Sequence, residues 1–284
     1  MTGHIYFPWE WVASSAWWGT LSKENQNIIT DAVETARKYG SSIEDEKDKF
    51  NSFSLLSIPF FVFAATIMNT GSTTNRIFSF ADSVVGHFRG GLGHVNVVAS
   101  MIFAGMSGTA VADAAGLGKL GIKAMTDAGY DLKLSTGITG ASSVIGPIIP
   151  PSVGMIIYGW LSDVSIGCLF IGAIIPGVLM GLFMMIMVYL WAYKEKMPRR
   201  PKATLKDIFN YSKAAFLPLL TPVIIVGGIW SGIFSPTESG VMASIYAILL
   251  GMVVYRDVSF KQLLQTFKTT IELEAYKQLL LTDY

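Results

Sequence analysis

Two stretches of the sequence carry residue types that could do chemistry: SGTAVADAAG at 107–116 and GASSVIGPIIPP at 140–151. Both combine hydroxyl and small side chains with backbone that cannot continue as regular helix. Pro removes a backbone donor and clashes with the preceding turn, so no helix runs unbroken through GPIIPP. A broken helix leaves carbonyl oxygens unpaired, and these can coordinate a desolvated Na⁺. It also exposes a half-helix N-terminus, which favours an anionic substrate group. The bland alternative is a Pro-kinked packing helix. The Gly-Pro-x-x-Pro-Pro pattern flanked by Ser142, Ser143 and Ser152 favours the site.

Asp113 falls inside the first stretch, in an apolar neighbourhood. A carboxylate at bilayer depth costs several kcal/mol, so it faces a polar interior. It either lines an ion path or serves as a structural hydrogen-bond acceptor at the turn, and the sequence leaves both open. Other polar residues read more plainly. Glu238 completes a capping box with Ser235 and Pro236. Arg89 is an interface anchor, Asn69 makes a local polar contact, and His94 is a satisfied buried histidine. Cys168, the single cysteine, is a buried thiol. No nucleophile elbow, phosphate loop or metal-protease motif occurs, so the chain is not read as an enzyme. No basic stripe with interleaved aromatics points to nucleic acid.

These residues must be held by membrane helices. The chain has 284 residues, 51% hydrophobic and 14% charged, with a mean hydropathy of +0.48. About 25% charged residues is usual for soluble domains. Residues 1–50 hold 13 of the 41 charged side chains. Charge-free runs cover 50–75, 90–112, 134–162, 164–193, 214–237 and 239–255. A bilayer core needs roughly 20 mostly apolar residues. The chain is therefore expected to be all-α, a polytopic integral membrane protein. Residues 53–70 form a candidate span, and 75–89 an amphipathic helix lying in the interface. Residues 91–108, with the helix that follows at 117–130, read as a re-entrant hairpin, 134–160 as a Pro-broken helix, and 164–193 as a long span. The loop 194–206, rich in Lys and Arg, is cytoplasmic by the positive-inside rule. Residues 214–234 and 239–255 complete the spans, and 256–284 reads as an amphipathic tail. Ser22 can cap a soluble amphipathic helix reaching about Tyr39.

The strings SIPFFVFAATIMNTG, GHFRGGLGHVNVVASMIFAGMSGTAVADAAGLG, ITGASSVIGPIIPPSVGMIIYG, VSIGCLFIGAIIPG and GIFSPTESG resemble the large membrane subunit of TRAP transporters (tripartite ATP-independent periplasmic, DctM-like). The resemblance runs from about Ser52 to about Leu264. It implies secondary active uptake of an organic acid, such as a C4-dicarboxylate or sugar acid, by Na⁺ symport across the bacterial inner membrane. It implies no cofactor, with Na⁺ as the coupling ion. Partners would be a small TRAP membrane subunit, a periplasmic substrate-binding protein and the lipid bilayer, with no nucleic acid. The family fold has inverted repeats, each with a re-entrant hairpin and a broken helix. By that likeness the hairpin lies at 101–118. Ser107, Gly108, Thr109, Ser142, Ser143, Gly146, Pro147, Pro150 and Pro151, with Asp113, form a substrate and ion half-site. Na⁺ would sit at Ser107, Gly108, Ser143, Gly146 and Pro147.

The family's large subunit is usually far longer, and no second Pro-broken helix follows residue 151. The chain thus reads as the first half of an inverted-repeat transporter fold. Three regions are expected: 1–50, a soluble segment and fusion remnant; 51–264, the partial membrane domain; and 265–284, a divergent tail. Residues 17–39 resemble the C-terminal part of a TRAP binding protein. The alternative reading is a non-transporting truncated or chimeric membrane component. A channel or a membrane-embedded enzyme is a weaker rival.

Overall fold

The computed structural model describes residues 57–195, 197 and 199–270, together with Lys23, an exposed helical residue. The chain divides into two compact units, Met1–Ser52 and Phe53–Tyr284. The expected helix from Ser22 to Tyr39 and the tail beyond residue 270 lie outside the described residues. The second unit is helical, with no strand among the described residues.

Among the described residues the α-helices run in order α1 Ser57–Thr70, α2 Thr73–Val85, α3 Gly91–Ser107, α4 Ala110–Asp127, α5 Leu132–Ser143, α6 Val153–Ser162, α7 Ile166–Lys194, α8 Leu205–Trp230 and α9 Pro236–Ile248. A π-helical turn, Leu249–Val254, extends α9, and 260–270 is helical again. Among the described residues three helices are long and apolar enough to cross a membrane: Ile166–Lys194, Leu205–Trp230 and α9 with its extension, Pro236–Val254. At 1.5 Å per residue the 29 residues of α7 reach about 43 Å, more than a hydrocarbon core of about 30 Å. Its exposed side includes Ile175, Leu179, Phe183, Met187 and Leu190, an apolar surface suited to lipid. α1, α3 and α6 are apolar but shorter.

Local chemistry sets the helix starts. Ser152, Ser165 and Ser235 accept hydrogen bonds from the backbone N–H of Met155, Cys168 and Glu238, at 3.2, 3.4 and 3.3 Å. The Ser235 backbone N–H in turn donates to Glu238 Oε2 at 2.7 Å, completing the expected capping box. α8 begins at Leu205, nine residues before the charge-free run that marked it, because Thr204 and Asp207 form a second box. Its first turns are polar and would lie outside a hydrocarbon core.

The helices pack through small residues and polar cross-links. α1 lies along α9, where Ser244 donates to the Phe60 carbonyl at 2.9 Å. α9 also meets α8: Ser239 donates to the Ile225 carbonyl and Tyr246 to the Leu217 carbonyl. The core holds Phe61, Ile67, Met68, Phe103, Leu117 and Ile225. α2 departs from its interfacial expectation. Ile77, Phe78 and Ala81 are buried in that core, so much of its apolar stripe is spent on α3 and α8. Val84 and Phe88 alone of the stripe stay largely exposed.

α4 is registered by two asparagines seated on glycines. A Cβ on Gly116 would lie 2.0 Å from Asn69 Oδ1, and one on Gly121 would lie 2.1 Å from Asn96 Oδ1. Asn69 donates to the Ala112 carbonyl at 3.2 Å and accepts from Thr74 at 3.1 Å. The contact expected to be local for Asn69 thus also ties α1 to α4, 43 residues away. Gly137 has nothing within 4 Å of an added Cβ. Gly121→Ala should therefore cost about 1–3 kcal/mol through overpacking, seen as a lower melting temperature in detergent. Gly137→Ala should leave that temperature unchanged or raise it slightly. Equal behaviour of the two variants would show that this notch does not set the register.

Candidate functional site

The expected hairpin is present and longer than the 101–118 assigned to it: its arms are α3 and α4, running from Gly91 to Asp127. Its tip is the pair Gly108–Thr109. Gly108 closes α3 with φ +64°, a left-handed conformation that glycine adopts without steric cost, and its N–H donates to the Ala104 carbonyl. Thr109 is extended, and its hydroxyl accepts from the Ala112 N–H at 3.2 Å. Thr109, and not Asp113, is the cap.

The expected broken helix is also present. α5 ends at Ser143, residues 144–152 form the break, and α6 starts at Val153. Short turns hold the break: Ile148 and Ile149 N–H both donate to the Ile145 carbonyl at 2.9 and 3.0 Å. The Ser152 hydroxyl donates to the Pro147 carbonyl while capping α6. The Pro150–Pro151 peptide is cis.

Tip and break touch. The Val153 N–H donates to the Gly108 carbonyl at 3.2 Å. A Cβ on Gly108 would lie 2.5 Å from the Pro151 carbonyl, and one on Gly146 would lie 2.9 Å from the Thr109 carbonyl. The structure therefore brings together Ser107, Gly108, Thr109, Gly146, Pro147, Pro150 and Pro151 around one junction. Ser107 is buried with its hydroxyl lacking a hydrogen-bond partner.

Ser142 and Ser143 are the last two residues of α5, directly before the break, with different partners. Ser143 donates to the Gly140 carbonyl at 2.8 Å. Ser142 donates to the Thr139 carbonyl and accepts from Ser100 at 3.1 Å and Asn96 at 3.2 Å. Asn96 also donates to Thr139 Oγ1 at 3.0 Å. This buried network joins α3 to α5. Asn96, Ser100 and Thr139 were missed by the sequence reading. No spacing rule links residues 43 apart, and only the Gly121 notch hints at a large partner.

Asp113 is 1% exposed in the first turn of α4. Neither carboxylate oxygen has a hydrogen-bond partner of ordinary geometry, and the Ser100 hydroxyl is its polar neighbour. Among the described residues no group of three or more His, Cys, Asp or Glu could hold a metal ion. Any cation here would rely on carbonyls and hydroxyls with one carboxylate.

Two expectations fail at the periphery. His94 is 4% exposed, yet neither ring nitrogen is hydrogen-bonded. Its ring stands edge-on to Phe88 at 5.7 Å, with the Arg89 backbone as its polar neighbour. Cys168 is exposed and not buried, because the first turn of α7 turns that side away from the protein. Arg89 stacks over the Tyr193 ring at 5.1 Å, and Glu238 is the capping residue expected.

With this geometry in place, relatives can be compared. The family model described as "Tripartite ATP-independent periplasmic transporter, DctM component" matches residues 20–281. The chain belongs to the DctM family. The chain is similar to the sialic acid TRAP transporter permease protein SiaT of Haemophilus influenzae, 52% identical over 78% of this chain and 36% of that protein. The large permease SiaM of Vibrio cholerae is 48% identical over 79% and 53%. The C4-dicarboxylate large permease DctM of Pseudomonas aeruginosa is 39% identical over 78% and 53%. The chain spans about half the length of the large permeases it matches, and a smaller share of SiaT. The family is one of transporter permeases and not of enzymes. Its match also extends into the segment before residue 51 and the tail after 264.

The DctM junction should tolerate no side chain at its tip. Gly108→Ala combines a left-handed φ with a clash on the Pro151 carbonyl, and should loosen the hairpin from the break. Limited proteolysis or hydrogen exchange should then rise at 105–111 and 144–153 together. A rise confined to 105–111 would mean that the break is held independently.

Proposed function

We propose that this DctM chain supplies one half of a Na⁺-coupled site for uptake of an organic acid across the bacterial inner membrane. The observation that carries the reading is the junction of hairpin tip and helix break, with a buried, unpartnered Asp113 beside it. Unwound backbone at membrane depth is tolerated where it lines a polar cavity or is buried in protein. Carbonyl and hydroxyl oxygens of Ser107, Gly108, Ser143, Gly146 and Pro147 are the donors assigned to Na⁺, with Thr109, Ser142, Pro150 and Pro151 shaping the pocket. Asp113 supplies the negative charge that offsets a desolvated cation. The N-termini of α4 and α6, on either side of the junction, favour a carboxylate substrate.

Relatives named for sialic acid, C4-dicarboxylate and 2,3-diketo-L-gulonate all handle carboxylates, which supports that substrate class. The family name supports a periplasmic binding protein as the source of substrate and a small membrane subunit as partner. The other half of the site would come from the region of the relatives this chain does not span.

The direct test is Na⁺ binding by the full chain in nanodiscs. Ligand at ten times its Kd stabilises the folded state by about 1.4 kcal/mol. NaCl, compared with choline chloride at equal ionic strength, should raise the melting temperature by a few degrees. Asp113→Asn and Ser143→Ala should each remove that rise without lowering the baseline by as much. An equal response to both salts would overturn the Na⁺ assignment. Na⁺-driven carboxylate uptake by liposomes holding the chain with a binding protein and small subunit would separate the transporter from the non-transporting component.

A further inference from the structure

α8 carries two prolines in its middle, Pro218 and Pro222. Each removes a backbone donor, so the Ala214 and Pro218 carbonyls lose the partner four residues on. α9 supplies hydroxyls from the side. Tyr246 donates to the Leu217 carbonyl at 2.9 Å, and Tyr255 to the Ala214 carbonyl at 3.4 Å. The two tyrosines are about two and a half turns of α-helix apart, which would set them on opposite faces. The π-helical turn Leu249–Val254 lies between them and winds more slowly, so both hydroxyls reach α8. Beyond the prolines α8 is held separately, by Ser239 on the Ile225 carbonyl. The proline step itself rests on the hairpin arm, Pro222 against Gly105.

Thr221 shows what this clasp displaces. Thr66, Thr70, Thr126, Thr136 and Thr270 each donate a hydroxyl to the carbonyl four residues back, at 2.7–2.9 Å. The same bond from Thr221 would fall on Leu217. Tyr246 occupies that carbonyl, and Thr221, 1% exposed, is left with a hydroxyl that has no partner. A carbonyl has two lone pairs, one for the ladder N–H and one for a hydroxyl. Two hydroxyls therefore compete for one place. A buried hydroxyl without a partner is unfavourable in lipid, so the losing donor stands ready to take over. The Ala214 carbonyl lies next to the polar first turns of α8, where water can replace Tyr255.

We propose that α8 is a hinge pivoting at Pro218–Pro222, whose two positions exchange one hydroxyl for another on the Leu217 carbonyl. In the clasped position Tyr246 holds the N-terminal half of α8, residues 205–217, to α9. When that half swings away, Thr221 takes the carbonyl, and no acceptor is stranded in the bilayer. Pro222 at the pivot touches Gly105, three residues before Gly108 at the hairpin tip, so the swing is linked to the position of the hairpin. The hinge is independent of the Na⁺ assignment.

The test is a double-mutant cycle on the full chain in nanodiscs, with Thr221→Val and Tyr246→Phe. Spin labels at F209C and V253C, exposed positions on the N-terminal part of α8 and the last turn of α9, in a C168S background, report the separation by pulsed electron resonance. Two distance populations are expected, the shorter being the clasped position. T221V removes the incoming donor and should lower the ratio of open to clasped about five-fold, the worth of one net hydrogen bond. Adding Y246F to T221V should restore the open population, because the carbonyl is then unpartnered in both positions. Melting temperature gives the second readout. T221V alone should leave it unchanged or raised, since an unpartnered hydroxyl is deleted, and Y246F alone should change it little, since Thr221 refills the carbonyl. The double variant should fall by about 2–4 °C beyond the sum of the two. A single distance population in every variant, an open fraction unmoved by T221V, or additive melting temperatures would each overturn the hinge.

Discussion

Backbone inside a bilayer has no water to bond to, and every other choice in this DctM unit follows from that. Residues 144–152 leave the helix in the middle of an apolar stretch. Each freed group costs several kcal/mol in hydrocarbon unless protein satisfies it. The break meets the cost locally, through turns at Ile145 and the Ser152 cap, and remotely, through the Gly108 carbonyl that accepts from Val153. The hairpin tip is thus a partner the break requires. The two unusual motifs are one structural unit built from segments some 40 residues apart.

Close approach at that unit depends on missing side chains. Ile149 in the break sits against Gly177 of α7, where an added Cβ would be 2.5 Å from it. Pro222 of α8 sits against Gly105, at 2.8 Å. In lipid, where helix association draws on packing and hydrogen bonds more than on apolar burial, small residues let backbones meet. The long spans α7 and α8 therefore brace the hairpin and the break while their other faces remain apolar and exposed. This arrangement explains the glycines at these contacts, Gly105 and Gly177.

The sequence was most legible where local chemistry decides the outcome. Proline and glycine punctuation placed the break and the tip, and Ser235 with Glu238 placed the start of α9, because those signals act within a few residues. It was least legible where distant partners decide. Hydropathy located α7 but could not say that Cys168 would face away from the protein. It started α8 too late, since the polar first turns hang on a Thr204–Asp207 cap. The amphipathic stripe of α2 is real, yet periodicity cannot tell a lipid interface from α3 and α8 as the surface it covers. Asn69 and Asn96 looked like ordinary polar residues, and their role emerges only from glycines 47 and 25 residues further on.

Asp113 and its surroundings are hard to explain as stability. A buried charged pair can be neutral or unfavourable compared with apolar packing, and a buried carboxylate whose polar neighbour is a single hydroxyl, that of Ser100, is worse. The α4 N-terminus offsets part of this through its dipole, typically by about 0.3–1 kcal/mol, but Thr109 already provides the cap. Ser107 adds a buried hydroxyl with no partner, and Asn96 a carbonyl oxygen in the same condition. Native interiors hold few such groups, and each calls for an account. Asp113, Ser107 and Asn96 lie along α3 and α4 and offer acceptor oxygens, while Arg89, His94, Thr221 and Asp257 hold further unpaired buried atoms. The three acceptors stand near the unwound helix, where the cation site proposed above would complete their bonding.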